Sequence, residues 1–159
     1  MIEESPEGFI QRWREYAADV QVFARTEGSP LLECLAGSAI LQLLDRTGPY
    51  QAGAGRRKVI LNPMVEALEA NPEGQAGLEV SGLGTLEGAG RVVARDGHTS
   101  VVDCEGIPLV VVVIGEDGQR FDEGSYVRFR AVPPVHGFVI AEEPRSQRRD
   151  AGESADEAM

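Results

Sequence analysis

Residues 78–141 consist of short, β-branched apolar segments separated by glycine turns at intervals of roughly eight to twelve residues. Each segment has the length of a single strand, and the regular spacing is typical of a β-barrel or β-sandwich. The unbroken valine run at 110–113 predicts a strand that is covered on both faces. We therefore expect a barrel in this half of the chain.

Six strands are predicted here from the turns that bound them. Asp96-Gly97 is a strong signal for a tight hairpin, and Glu105-Gly106 turns the chain again. The predicted strands are residues 78–86, 90–95, 99–104, 107–114, 125–131 and 137–141.

Residues 1–75 carry helical signals instead. Ser5 can cap a helix and Pro6 suits its first turn, and large apolar side chains then recur at alternating steps of four and three. This spacing predicts one apolar helix face, on a helix that ends at Gly28. The members of this face are Phe9, Trp13, Tyr16, Val20 and Phe23.

Two further helices are predicted in the same half. The serine–proline pair at 29–30 repeats the start signal, and residues 31–44 are apolar on most of a helical circumference. Because the link between them is short, this helix and the first form a hairpin. The asparagine–proline pair at 62–63 opens a third, short helix that Pro72 closes.

Residues 121–130 have the sequence Phe-Asp-Glu-Gly-Ser-Tyr-Val-Arg-Phe-Arg. They resemble the stretch of OB-fold and cold-shock barrels in which a glycine turn introduces an alternating strand, here with Val127 and Phe129 inward. Residues 137–140 are similar to the closing strand of such barrels. The resemblance covers residues 78–141 and implies either an assembly module or a surface for single-stranded nucleic acid or oligosaccharide.

The predicted fold is therefore α+β, with an N-terminal helical hairpin and a short helix packed on a C-terminal OB-like antiparallel β-barrel. Residues 1–75 form the helical region and residues 76–141 form the barrel. Residues 142–159 form a disordered acidic tail, because they are too polar to offset the entropy of ordering.

The formal net charge of -11 opposes non-specific attraction to phosphate backbones and to anionic lipid. The acidic N-terminus predicts no secretory signal, and the apolar stretch at 31–44 is too short to cross a bilayer. Cys34 and Cys104 lie far apart in the sequence and predict reduced, structural thiols. Together these features predict a cytoplasmic protein.

Glycine-rich and ionisable motifs do not assemble a catalytic, cofactor or metal site in the sequence. The glycines at 80–88 precede a predicted strand, whereas a dinucleotide-binding motif needs a helix there. The segment 52–58 lacks the P-loop sequence. Asp103 and Cys104 face opposite sides of a strand, so they cannot join His98 in one site. We therefore predict no enzyme, no cofactor and no metal site.

The strongest candidate for ligand binding is a set of arginines on predicted strands. Alternate residues share one face of a strand, so two neighbouring strands would form an arginine face suited to phosphate or carboxylate. It consists of Arg91, Arg95, Tyr126, Arg128 and Arg130. The sequence leaves open the alternative that these arginines pair with Glu87, Asp103 or Asp122 on a solvated barrel wall.

Two functions follow as expectations. The first is a non-catalytic interaction or assembly module, which forms a homodimer or binds another protein through the helical region because its apolar surface exceeds what a small barrel covers. The alternative is that the helices cap the barrel in a monomer. The second function is a single-stranded DNA or RNA binder that uses the arginine face. Strands 99–104 and 107–114 contain no aromatic residue for base stacking, so its affinity would come mostly from charge.

Overall fold

The computed structural model describes residues 5–26, 28–47, 53–81, 85–115 and 120–140. Within them, helix α1 is Pro6–Trp13 and is followed by the 3-10 turn Arg14–Tyr16. The strands are β1 Ala18–Val22, β2 Leu31–Ala36, β3 Ala39–Asp45, β4 Gly55–Val65, β5 Glu69–Ala70, β6 Gly77–Val80, β7 Leu86–Asp96, β8 Thr99–Cys104, β9 Ile107–Val113 and β10 Tyr126–Val139. The predicted tail at 142–159 lies outside the described residues.

These strands belong to one sheet of mixed orientation. The hydrogen-bonded order is β5-β10-β3-β2-β1-β4-β9-β8-β7-β6, and β10 pairs in addition with β4 and β7. The pairings form a closed eight-strand barrel, with the short strands β5 and β6 at its margins. Two closed circuits share the β4–β10 ladder, one through β3, β2 and β1 and the other through β7, β8 and β9. Strands from residues 1–75 and from residues 76–141 thus form one barrel wall.

β4 and β10 carry prolines where the ladder that they share is interrupted. The ladder is interrupted between residues 62 and 64 of β4 and between residues 132 and 136 of β10. Pro63, Pro133 and Pro134 all lie in this interruption. A proline has no N–H to donate, so it is tolerated where the ladder is already broken.

The barrel interior is filled by the inward side chains of both circuits. In β3, for example, Leu41 and Leu43 are buried while Ile40 and Gln42 between them are exposed. Removal of this apolar area from water is the main force that stabilises the barrel. The largest fully buried side chains of the interior are Leu32, Leu43, Leu61, Leu109, Val20, Val22, Val59, Val65, Val92 and Val102.

A second apolar cluster lies outside the barrel wall, beneath α1. The helix begins at the cap residue Ser5, whose Oγ accepts a hydrogen bond from the Gly8 N–H at 3.1 Å. Its Trp13 is only 5% exposed. The helix therefore covers one side of the barrel. The outward residues that pack with Trp13 in this cluster are Ile60, Val101, Val110 and Phe138.

The predicted first helix is too long. It ends at Trp13, and residues 18–22 form β1 with Val20 and Val22 inside the barrel. These valines fit a period of two as well as a helical spacing, and both favour a strand when a sheet edge is available. Tertiary pairing with β2 and β4 thus overrides the helical pattern.

The predicted second helix, and with it the helical hairpin, is wrong. Residues 31–44 fall in the antiparallel hairpin of β2 and β3, which turns at Gly37 and Ser38. Gly37 has a φ of +61°, a conformation that suits a two-residue hairpin turn. Both faces of this hairpin are largely apolar, so periods of 2 and 3.6 fit the sequence about equally well. The glycine at its centre was the signal against a helix.

The predicted third helix is also wrong, because residues 62–63 lie within β4 and residues 69–70 form β5. Asn62 caps no helix; it is buried, and its Nδ2 donates to the Val110 carbonyl at 2.8 Å. The α+β class is therefore overturned. The described chain is mainly β with one short helix, and the predicted β-barrel is confirmed. The barrel is not purely antiparallel as predicted, because β10 pairs with β3 and β4 pairs with β9 in parallel, and it is not confined to residues 76–141.

Most predicted strands are present. Residues 99–104 coincide with β8, and residues 107–113 form β9. The predicted hairpin at Asp96-Gly97 is observed, with a φ of +63° at Gly97. The strands predicted at 125–131 and 137–141 form one continuous strand, β10, and the strand predicted at 78–86 is divided between β6 and β7.

Gly90 marks a close approach of β7 to β8. A Cβ added there would lie 2.0 Å from the Asp103 carbonyl oxygen, which is backbone and cannot rotate away. We expect Gly90→Ala to lower the free energy of unfolding by at least about 1–3 kcal/mol, as overpacking does. Gly77→Ala is the matched control in β6, where the nearest atom is a flexible Glu105 oxygen at 3.9 Å. Equal urea midpoints for the two variants would contradict the close approach.

Candidate functional site

Three arginines of the predicted arginine face lie together on the outer surface of the barrel. Alternate side chains of β10 point outward, and these include Tyr126, Arg128 and Arg130. The register of β7 against β10 places Arg91 opposite Tyr126. The residues between them, Val127 and Phe129, are buried as the alternation predicts.

Arg95 does not share this surface. The β7–β8 ladder is irregular between Val92 and Ala94, and such a bulge changes which side chains of the strand point outward. Arg95 Nη1 donates to the carbonyl of Phe121, a residue of the interior cluster, at 3.3 Å. Arg91 and Arg95 therefore do not point to the same side of β7, although simple alternation along the strand predicts that they do.

Carboxylates accompany the arginines of this face. The register places Asp103 beside Arg91. Exposed pairs of this kind contribute little to stability, but each carboxylate offsets a charge that would attract a phosphate. On this face the closest nitrogen–oxygen distances are 3.2 Å for Arg128–Glu69 and 3.4 Å for Arg130–Glu87, and Arg95, away from the face, lies 3.7 Å from Asp122.

The arginine face borders a wide acidic cleft of about 1120 Å³. Residues of the β5–β6 connection, of β6, β7 and β10, and of the segment after β4 line it, and they include the interior residues Phe129 and Ala131. Arg128 and Arg130 are its only cations, against six carboxylates, so the field of the described cleft is negative. The carboxylates are Glu66, Glu69, Glu73, Glu79, Glu87 and Glu105.

The five residues of the predicted helix face are divided by the fold. Phe9, Trp13 and Tyr16 belong to α1 and the 3-10 turn and pack on the barrel, where Phe9 stacks on Phe138 with ring centroids 4.5 Å apart. Val20 lies inside the barrel. The helical segment therefore has its apolar side covered by its own chain. Only Phe23, half-buried after β1, remains outside both clusters of described residues.

A different apolar surface is exposed on the β2–β3 hairpin. Its outward side chains form three cross-strand pairs, Leu31–Leu44, Glu33–Gln42 and Leu35–Ile40. Phe23 lies beside Glu33, whose carbonyl accepts the Phe23 N–H at 2.9 Å. Leu31 is 45% exposed and Ile40 is 55% exposed. We call this surface the hairpin face: Phe23, Leu31, Glu33, Leu35, Ile40, Gln42 and Leu44.

The hairpin face is separate from the two apolar clusters. Among the described residues, none of its apolar side chains belongs to the barrel interior or to the cluster beneath α1. On the β10 side it is bounded by His136, the register partner of Leu44, and by Arg46, whose Nη1 lies 3.2 Å from His136 Nδ1. Burial and the nearby Arg46 lower the pKa of His136 and favour its neutral form.

The two thiols lie in the barrel interior. Burial raises the pKa of Cys34 and of Cys104 to about 12, so both are poor nucleophiles at neutral pH. The described ranges contain no group of three or more side chains suited to hold a metal ion. No helix in the same ranges is both long enough and apolar enough to cross a membrane.

The hairpin face was partly visible in the sequence. The apolar excess of residues 31–44 is evident in the sequence, but it fits a helix as well as the hairpin that these residues form. The two polar residues Glu33 and Gln42 lie symmetrically about Gly37-Ser38, and this symmetry was the available signal for a hairpin.

No family model, no curated protein and no solved structure matches this chain.

Proposed function

We propose that this protein is a non-catalytic protein-interaction module whose binding surface is the hairpin face. The observation that supports this is the exposure of Leu31 and Ile40 within a sheet face that carries one charge, on a chain with a net charge of -11. Large exposed apolar patches on soluble proteins mark interaction sites, and here two apolar pairs flank one polar pair on the same face. Within the predicted helical region of residues 1–75, the proposed interface is the hairpin at residues 31–44 and not α1, whose apolar side packs on the barrel.

Ile40→Glu is the variant that tests this proposal. A buried carboxylate without a partner is costly, so we expect at least about tenfold weaker binding of any protein that docks on the hairpin face. The measurement is quantitative capture from a lysate of the source organism, with the purified variants immobilised. Because Ile40 packs in neither core cluster, the variant should retain the wild-type thermal midpoint.

Ile114→Glu is the matched control, since Ile114 is 47% exposed and follows β9, away from the hairpin. It should capture the same protein as the wild type. The proposal fails if no captured protein distinguishes Ile40→Glu from Ile114→Glu and the wild type also remains monomeric.

We propose the OB-like relationship only for one of the two circuits. β4, β9, β8, β7 and β10 form a closed ring of five strands, the number found in OB-fold barrels. Because β4 precedes residue 78, the likeness is not confined to residues 78–141. The outer face of β7 and β10 in this ring carries Arg91, Arg128 and Arg130, and it is the surface that an OB-like binding function would use.

Binding of single-stranded nucleic acid through that face stays a prediction, and the cleft carboxylates argue against it. We expect no retention of a labelled oligonucleotide in a filter-binding titration at about 50 mM salt, because six carboxylates face the two cleft arginines. Retention that falls steeply with salt and is lost in Arg128→Glu would instead support the nucleic-acid function.

A further inference from the structure

We infer that the hairpin face binds the hairpin face of a second copy of this chain, an inference that rests on the proposed function. Two copies that each carry a net charge of -11 repel one another over most of their surfaces. The hairpin face presents Glu33 as its one charged side chain. It is therefore a surface on which two copies can approach with little repulsion while apolar area is removed from water.

The order of the cross-strand pairs makes this face self-complementary. A two-fold axis parallel to the strands, midway between β2 and β3, exchanges the two strands of the facing copies. It places Leu31 on Leu44 of the second copy and Leu35 on its Ile40. Apolar side chains then meet only apolar side chains, as the aligned packing of two sheets requires.

The Glu33–Gln42 pair favours this axis over the second possible two-fold axis, which also lies between the facing sheets but runs perpendicular to the strands. With the axis parallel to the strands, Glu33 faces Gln42 of the second copy, whose amide can donate to the carboxylate. An axis perpendicular to the strands would instead place Glu33 against Glu33, and like charges in contact are destabilising. Electrostatics therefore favours one arrangement of the dimer.

The size of the face sets the strength of the association. Two strands with three outward pairs cover less than the about 800 Å² per partner of a standard interface, so the dimer should be weak and reversible. Sedimentation equilibrium from roughly 10 μM to 1 mM should show a monomer that becomes a dimer as concentration rises. Ile40→Glu should remain a monomer throughout, while Ile114→Glu should dimerise like the wild type.

Cross-linking tests the axis. Leu31→Cys and Glu33→Cys are prepared as separate chains, because both residues are exposed and their replacement spares the core. Packed sheets lie about 10 Å apart, too far for a disulfide between these positions, so a short bismaleimide is used. The native thiols are buried with pKa values of about 12 and should not react.

Leu31→Cys should cross-link to itself about as efficiently as Glu33→Cys, because the proposed axis keeps the two copies of each position at the same level on facing, neighbouring strands. The perpendicular axis would separate the two copies of position 31 by about four residues along the strands, so at least about tenfold weaker cross-linking of Leu31→Cys than of Glu33→Cys would overturn the proposed axis. A wild-type chain that is monomeric at the highest concentration would overturn the second copy as partner. The proposed function would then still stand if a captured protein distinguishes Ile40→Glu from Ile114→Glu.

Discussion

Replacement of Asp45 by alanine is expected to lower the free energy of unfolding by roughly 3–5 kcal/mol, because it leaves a buried guanidinium without its counter-ion. The Asp45 side chain is 1% exposed and that of Arg25 is 9% exposed, and Arg25 Nη2 lies 3.0 Å from Asp45 Oδ2. The second carboxylate oxygen accepts hydrogen bonds from the Thr47 N–H, at 2.8 Å, and from the Thr47 hydroxyl. Urea unfolding followed by circular dichroism measures the loss.

Two controls separate this ion pair from surface charge. Arg128→Ala breaks the exposed pair with Glu69 and should cost less than about 1 kcal/mol. Arg25→Met combined with Asp45→Ala removes both buried charges, so the double variant should be more stable than Asp45→Ala alone. If Asp45→Ala is no more destabilising than Arg128→Ala, the buried pair does not stabilise the fold as described.

Replacement of Trp13 by alanine is the second change with a large expected effect. We expect a loss of roughly 3–5 kcal/mol, the usual cost of deleting a buried tryptophan. Trp13 covers Ile60, Val101 and Val110, and its removal would expose these residues on the outside of the barrel. Because Trp13 is the only tryptophan, unfolding is followed by circular dichroism rather than by intrinsic fluorescence.

Trp13→Phe is the conservative control and should retain more than half of the lost stability, since an aromatic ring still covers the cluster. An independent readout is the binding of a hydrophobic dye, which should increase in Trp13→Ala and stay near the wild-type value in Trp13→Phe. A Trp13→Ala protein that keeps the wild-type stability would show that α1 does not stabilise the barrel wall.

The sequence predicted the second half of the fold better than the first, and the physical reason is the hydrophobic pattern. Residues 99–104 and 107–113 combine β-branched runs with glycine turns, and these signals agree with one another. Residues 31–44 carry leucine on both faces of each strand, so the period of two is masked. The local pattern therefore does not distinguish helix from strand for residues 31–44. Their pairing with β1 and β10 in the folded chain selects the strands.

The candidate site was predictable only in part, for similar reasons. Strand alternation placed Tyr126, Arg128 and Arg130 on one outer face, where the structure has them. A bulge near Val92 moved Arg95 off that face, and a single sequence gives no sign of such a bulge. Glu73, the carboxylate of the β5–β6 connection, reaches the same region only through the folded path of the chain.

The shared β4–β10 ladder has a consequence for synthesis of the chain. Both circuits need β10, which is residues 126–139 and emerges last from the ribosome among the described strands. Until β10 is synthesised, β3, β4 and β7 each have one edge that is unpaired. Unpaired strand edges are prone to associate with other chains. We therefore expect the nascent polypeptide to need protection of these edges until β10 is synthesised, more than a barrel whose strands pair in sequential order does.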